Sequence, residues 1–269
     1  MGFKKVTSLL SIILFIGFLA LWVYLQVFVP IDSDTRDIFS SSYGILAGIG
    51  GIIGFIIANK WNGFKSYVGK SLIFFSAGLM CQFLGQTTYY VQFLIDHIEN
   101  SYPSWGEIFF FVSMPLYILG VAYIAKASGS GLSWKNTGNK LIAIFIPIIM
   151  VIGSYYLFVN GSDFTGQSLI AIILSFAYPI GQAVFVSMAI SAYFLSKNVL
   201  GGVMKTRVIF ILFSLVVQYL ADSWFLYKTI QGTFYHADES EYLFALSYSV
   251  MTFAFLQFLS VFDQLKKNN

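Results

Sequence analysis

Charge is what this sequence has least of. Only 10% of its 269 residues are Asp, Glu, Lys or Arg, where a soluble domain carries about 25%. Such a chain has too few charges to clothe a water-facing surface, which excludes an ordinary soluble domain. Cysteine is scarcer still. With Cys81 alone, an intrachain disulfide and a cysteine metal centre are both excluded, and Cys81 reads as a small packing residue of a helix. His97 and His236 are the only two histidines, and both fall in segments read as outer loops, which rules out haem held between intramembrane histidines. The run from His236 to Glu241 has the residue types for a divalent cation, but the two histidines do not match under the repeat described below, so no metal site is expected. There is no GxGxxG, Walker loop, HExxH or paired-cysteine motif. No catalytic residue, cofactor or nucleic-acid partner is expected.

What the chain has instead is apolar length. Hydrophobic residues make up 58% of it and mean hydropathy is +0.78. A helix needs about 20 mostly apolar residues to cross the hydrocarbon core, and such runs recur from end to end. The short alternating strands of a membrane barrel are missing. The expected fold is all-α: a polytopic membrane protein with spans near 7–29, 41–59, 67–95, 105–126, 139–159, 167–196, 206–231 and 240–263. The first of these is too long for the apolar part of a signal peptide and lacks a small-residue cleavage site after it, so it reads as a membrane helix.

Loop charge alternates with these eight spans. All but Arg36 and Lys228 of the 15 basic residues fall on one side, and all but Asp263 of the 12 acidic residues lie towards the other. Basic loops mark the cytoplasmic face. The expected location is a cell membrane, multi-pass, with both termini in the cytoplasm and the bilayer as the first partner.

The chain also resembles itself. Shifted by 136, the run Ile73 to Leu84 falls on Ile209 to Leu220, and the intramembrane Gln82 falls on Gln218. With a shift of 134, Glu107, Phe110 and Ser113 fall on Glu241, Phe244 and Ser247; with 135, Tyr43 falls on Tyr178. The expected organisation is a four-helix repeat over residues 1–126, a Ser- and Gly-rich cytoplasmic linker over 127–138, and a second four-helix repeat over 139–269. An even number of helices returns the chain to its starting side, so the two halves run parallel.

Polar residues in apolar runs are the candidates for function. Asp222 lies 15 residues beyond the cytoplasmic Arg207, about 22 Å along a helix. A carboxylate there costs on the order of 2–3 kcal/mol and must face protein or water. Gln218 sits one turn away on the same face, and Gln82 and Gln86 form the same one-turn pair in the first half. Glu107 follows Ser104 by three residues and Glu241 follows Asp238 by three, a capping-box spacing. Two readings stand side by side. In one, Gln82, Gln86, Glu107, Gln218, Asp222 and Glu241 line an outward-facing ligand pocket, with Ser104 and Asp238 as helix caps. In the other, the same groups only hydrogen-bond helices together. Gly44, Gly48, Gly50 and Gly54 offer a small-residue face that suits either packing within the chain or a homodimer.

The run Tyr102-Pro103-Ser104-Trp105-Gly106-Glu107, followed by Met114-Pro115-Leu116-Tyr117, resembles the membrane sensory regions found ahead of bacterial and archaeal diguanylate cyclase or histidine kinase modules, as does Ala221-Asp222-Ser223-Trp224-Phe225. The first half departs from that pattern, with Gln86-Thr87 in place of the acidic motif. No output module follows in this sequence, so the resemblance implies signalling through a separate membrane or cytoplasmic partner. The leading expectation is a sensory, receptor-like module for a small or lipid-like ligand. The alternatives are a transporter or channel, favoured by duplication, and a membrane enzyme using Asp222 with Glu107 or Glu241.

Overall fold

The computed structural model of the protein describes residues 3–96, 102–128, 137–156, 160, 164–196 and 203–268. Among them every regular element is helical. The α-helices are α1 (Phe3–Phe28), α2 (Asp37–Ser42), α3 (Gly44–Lys60), α4 (Tyr67–Asp96), α5 (Glu107–Ala127), α6 (Thr137–Ser154), α7 (Leu169–Ser196), α8 (Val203–Ile230) and α9 (Glu239–Asn268), with 3-10 turns at Asp34–Arg36 and Gly63–Lys65. His97 and residues 129–136 of the expected linker lie outside the described residues.

Seven of these segments are long and apolar enough to cross a membrane: Lys4–Phe28, Asp34–Lys60, Tyr67–Ile95, Glu107–Ala127, Leu169–Ser191, Thr206–Ile230 and Glu239–Gln264. At about 1.5 Å per residue each clears the ~30 Å hydrocarbon core. The protein is a helical, multi-pass membrane protein. The remaining long helix, α6, has a shorter apolar stretch, Ile144–Ser154.

Six helices close into a ring. Going round it, α3 packs on α4, α4 on α5, α5 on α7, α7 on α8, α8 on α9, and α9 back on α3. α1 lies outside the ring against α9, and α6 outside it against α7. This order follows from side-chain character. α1 is apolar on nearly every face and leaves Leu9, Ile13, Ile16 and Val27 exposed, a surface fit for lipid. α9 carries Ser240, Ser247, Tyr248, Ser249 and Thr252 among its apolar residues, and those are buried. The ring's middle is filled by Phe75, Tyr117, Phe185 and Phe255, none more than 2% exposed.

The glycines of α3 set how tightly the ring closes. A Cβ on Gly50 would lie 2.2 Å from Thr252 Oγ1 of α9, and one on Gly54 would lie 2.1 Å from Ser76 Oγ of α4. Gly44 and Gly48 meet Gln86 and Phe83 of α4. The four glycines offered by the sequence as a dimer face are therefore buried between neighbouring helices of one chain. They are not on an outer surface.

Arg36, one of the two basic residues out of step with the loop charges, is 2% exposed. Its Nη2 donates to the carbonyls of Leu25 and Val29, and its Nε to that of Pro30, each at 2.9 Å. These are carbonyls at the C-terminal end of α1, where a helix leaves acceptors unmatched and favours positive charge. The other exception, Lys228, pairs with Glu239 and, at 3.3 Å, with Asp238. Both cations thus serve local structure.

Candidate ligand pocket

One end of the ring holds a polar cluster, and its parts are built locally. At the start of α9, Asp238 Oδ1 accepts the backbone N–H of Ser240 at 2.9 Å and of Glu241 at 3.2 Å. Burial pushes the Asp238 carboxyl above its usual value, against the Ser240 hydroxyl and the Lys228 ammonium, which favour the charged form. The Glu241 carboxylate turns back to accept the Ala237 N–H at 2.6 Å. It also accepts the hydroxyl of Ser40, from α2. This is a reciprocal cap of the capping-box kind. Ala237 is held at φ +59, and its carbonyl accepts Trp22 Nε1 (3.1 Å) and Gln26 Nε2 (2.5 Å) from α1.

The start of α5 is built differently. The residue before the helix is Gly106, with no side-chain cap. Ser104 contributes its carbonyl, which accepts the Glu107 N–H at 3.2 Å. A Cβ on Gly106 would lie 2.5 Å from the carbonyl oxygen of Gly85; the missing side chain lets α5 begin hard against α4. Glu107 is thereby aimed at α7, where Tyr178 donates its hydroxyl to the carboxylate.

The glutamines join helices. Gln86 accepts from Tyr43 (2.9 Å) and donates to the Ser40 carbonyl (2.8 Å). Gln82 donates to Ser113 on α5 (2.8 Å) and accepts from Tyr248 on α9 (3.1 Å). Gln218 donates to Asp222 Oδ2 (2.9 Å) and accepts from Ser247 on α9 (3.1 Å). Gln182, on α7, lies beside Asp222. Tyr102, in the turn before α5, has its phenol pushed up by burial and by the neighbouring Glu107.

Around these groups is a cavity of about 60 Å³. Gln86, Glu107, Asp222 and Glu241 line it, together with Tyr43, Tyr89, Tyr102 and Tyr178 and the rings of Phe110, Phe225, Phe234 and Phe244. Gln82 and Gln218 are not in this wall. They line a second, deeper space of about 10 Å³ with Gln182 and with Asp222, which borders both. The six polar residues singled out from the sequence therefore divide between two adjoining spaces joined at Asp222.

Sequence reasoning missed the tyrosines and Gln182. The tyrosines carried no distinguishing mark in a chain that is 19% aromatic, although Tyr43 and Tyr178 correspond under the repeat. Gln182 was legible by the signal that found Gln82 and Gln218, an amide inside an apolar run. In the loop before α9, His236 Nδ1 meets Asp37 Oδ1 at 2.6 Å, Asp238 caps α9 and Glu239 pairs with Lys228, so the run His236–Glu241 is engaged in local contacts.

Comparison of the chain with protein-family models, with curated proteins and with solved structures gave no match. The reading of function rests on the geometry.

Proposed function

We propose that the protein is a receptor-like sensory module of a cell membrane, which binds a small ligand in this pocket and passes a helix movement to a separate partner. One observation carries the reading: all six ring helices contribute to the cavity wall or its rim. Tyr43 opens α3, Gln86 and Tyr89 lie on α4, Glu107 on α5, Tyr178 on α7, Asp222 on α8 and Glu241 on α9. A molecule bound there touches every helix of the ring at once. Differential contact of that kind is what a ligand needs in order to shift a helix arrangement. The cavity volume favours a small ligand, since pockets for larger molecules run to roughly 300–1,000 Å³.

The finer architecture belongs to the same proposal. α6 makes an eighth crossing, and the two halves are parallel repeats. Two hydrogen bonds support this: Gln82 with Ser113, and Gln218 with Ser247, join residues that correspond under the internal shift. The pocket faces outward. In support, Lys4, Lys5 and Lys60 share a cleft at the opposite end of the bundle, where the positive-inside rule sets the cytoplasm. Packing favours sensing over transport: below the deeper space, Leu72, Phe75, Phe185, Ile211 and Phe255 fill the ring and are at most 1% exposed.

The test is a screen of small water-soluble molecules by thermal unfolding of the full chain in lipid nanodiscs. The expected result is a compound that raises the transition of the wild type and not of Asp222→Leu. Equal stabilisation of both proteins would place binding elsewhere and end this reading. Counterflow of the same compound in proteoliposomes would make the chain a transporter instead.

A further inference from the structure

We propose that the pocket takes a compact organic cation, an ammonium group bearing hydrogens or small alkyl substituents. The inference rests on the reading of the cavity as a ligand pocket and names the ligand's class.

Charge sign comes first. Glu107, Asp222 and Glu241 line the cavity, and its wall contains no Lys, Arg or His. The basic groups nearby are engaged elsewhere. Arg36 holds the carbonyls that end α1, Lys228 pairs with Asp238 and Glu239, and His236 pairs with Asp37. Acidic groups in an apolar span are costly and call for a partner of opposite charge. An anion in this wall would add repulsion, whereas a cation would meet three carboxyl groups whose present partners are all neutral donors.

The rest of the wall is aromatic. Tyr43 and Phe244 stack at 6.3 Å and Phe225 meets Phe244 edge-on at 6.5 Å, while Tyr178 is turned onto Glu107. Ring faces attract ammonium ions, and more strongly as water is excluded. Among the described residues no group of acidic, His or Cys side chains is gathered closely enough to hold a metal ion, so the aromatic lining points to an organic cation.

An independent observation points to a donor. Gln182 is 2% exposed. Its amide is turned towards Asp222, and its Oε1 has no hydrogen-bond partner. Gln182 lines the deeper space that adjoins the cavity at Asp222. A buried carbonyl oxygen left without a donor is costly, and Gln182 shares the deeper space with Asp222, where a ligand N–H or O–H would meet it. The size also fits. About 60 Å³ suits one substituted ammonium group rather than a drug-sized molecule.

The experiment is isothermal titration of the full chain in uncharged lipid nanodiscs with four probes: tetramethylammonium, choline, its neutral isostere 3,3-dimethylbutan-1-ol, and propionate. The expected result is binding of one or both cations, with the neutral isostere weaker by about tenfold or more. Asp222→Asn should weaken cation binding about tenfold; Glu107→Gln serves as a second variant should the first fail to fold. Equal affinity for choline and its isostere, binding of propionate, or cation affinity unchanged in both folded variants would overturn the cation assignment while leaving a pocket in place. Failure of all four probes, together with failure of the broader screen, would remove the pocket reading and this inference with it.

Discussion

Tyr178 of α7 donates its hydroxyl to the carboxylate of Glu107 on α5, so a residue that opens one ring helix is held by the next helix round. Ser40 of α2 does the same for Glu241 of α9. Each glutamate is fixed by a hydroxyl from the opposite half of the sequence, and the two bonds lie on either side of the cavity.

Removing one of these hydroxyls tests how much the cavity depends on it. Tyr178→Phe keeps the ring and deletes the donor, leaving a half-buried carboxylate one bond short. Hydrogen bonds to charged groups contribute about 1.5–3 kcal/mol. The expected outcome is a lower thermal transition in nanodiscs, together with weaker binding of any ligand found for the pocket. Tyr227→Phe, on an exposed ring, should leave both unchanged.

The cap at Asp238 makes a separable prediction. Asp238→Ala removes the acceptor of the Ser240 and Glu241 N–H groups and should cost about 0.5–2 kcal/mol. Asp238→Asn retains a capping oxygen and gives up the charge that faces Lys228, so it should cost less than the alanine, which loses both. Chemical denaturation of the two variants in mixed micelles gives the order. Equal losses would mean that the ion pair, not the cap, is what Asp238 contributes.

How far these features were legible in the sequence depended on whether they are local. Seven of the eight expected spans were readable because each apolar run carries its own signal. The Asp238–Glu241 box was readable because it is written in four consecutive residues. The Ser104–Glu107 spacing gave no sign that α5 starts at Gly106 by close approach to Gly85, a residue of another helix. The glycines of α3 announced a close helix contact but not its partner, which turned out to be α4 and α9. The pocket's tyrosines were hidden for the same reason. Which face of each helix looks inward is decided by the ring order, in which α5 meets α7 and α9 meets α3, and no short stretch of sequence states that order.

Gly106 gives the sharpest test of that non-local contact. A methyl group there would sit 2.5 Å from the Gly85 carbonyl oxygen, a backbone atom that cannot rotate away. Gly106→Ala should therefore push the start of α5 off α4 and move Glu107 away from Tyr178. Overpacking of this kind costs about 1–3 kcal/mol. The outcome to measure is a lowered transition with ligand affinity lost along with it. The same change at Gly153, where a Cβ would meet nothing within 4 Å, should be tolerated.

Arg36 provides the last prediction, because its role depends on shape as well as charge. Its guanidinium reaches three carbonyls at once, those of Leu25, Val29 and Pro30, each at 2.9 Å, and lies 5.2 Å from the ring of Tyr235. Lysine carries the same charge on a single nitrogen without the planar fork. Arg36→Lys should therefore retain the favourable charge at the end of α1 and lose part of the carbonyl set, whereas Arg36→Met should lose both, leaving the carbonyls of Leu25 and Pro30 only the backbone N–H groups of Val29 and Ser33. Since the Ala237 carbonyl that anchors α1 through Trp22 and Gln26 lies in the loop that ends at the α9 cap, loosening this end of α1 should also be felt at Glu241. Limited proteolysis and thermal unfolding should rank wild type above Arg36→Lys and Arg36→Met last, with ligand affinity falling in the same order. Indistinguishable Lys and Met variants would assign Arg36 a role through its aliphatic bulk alone.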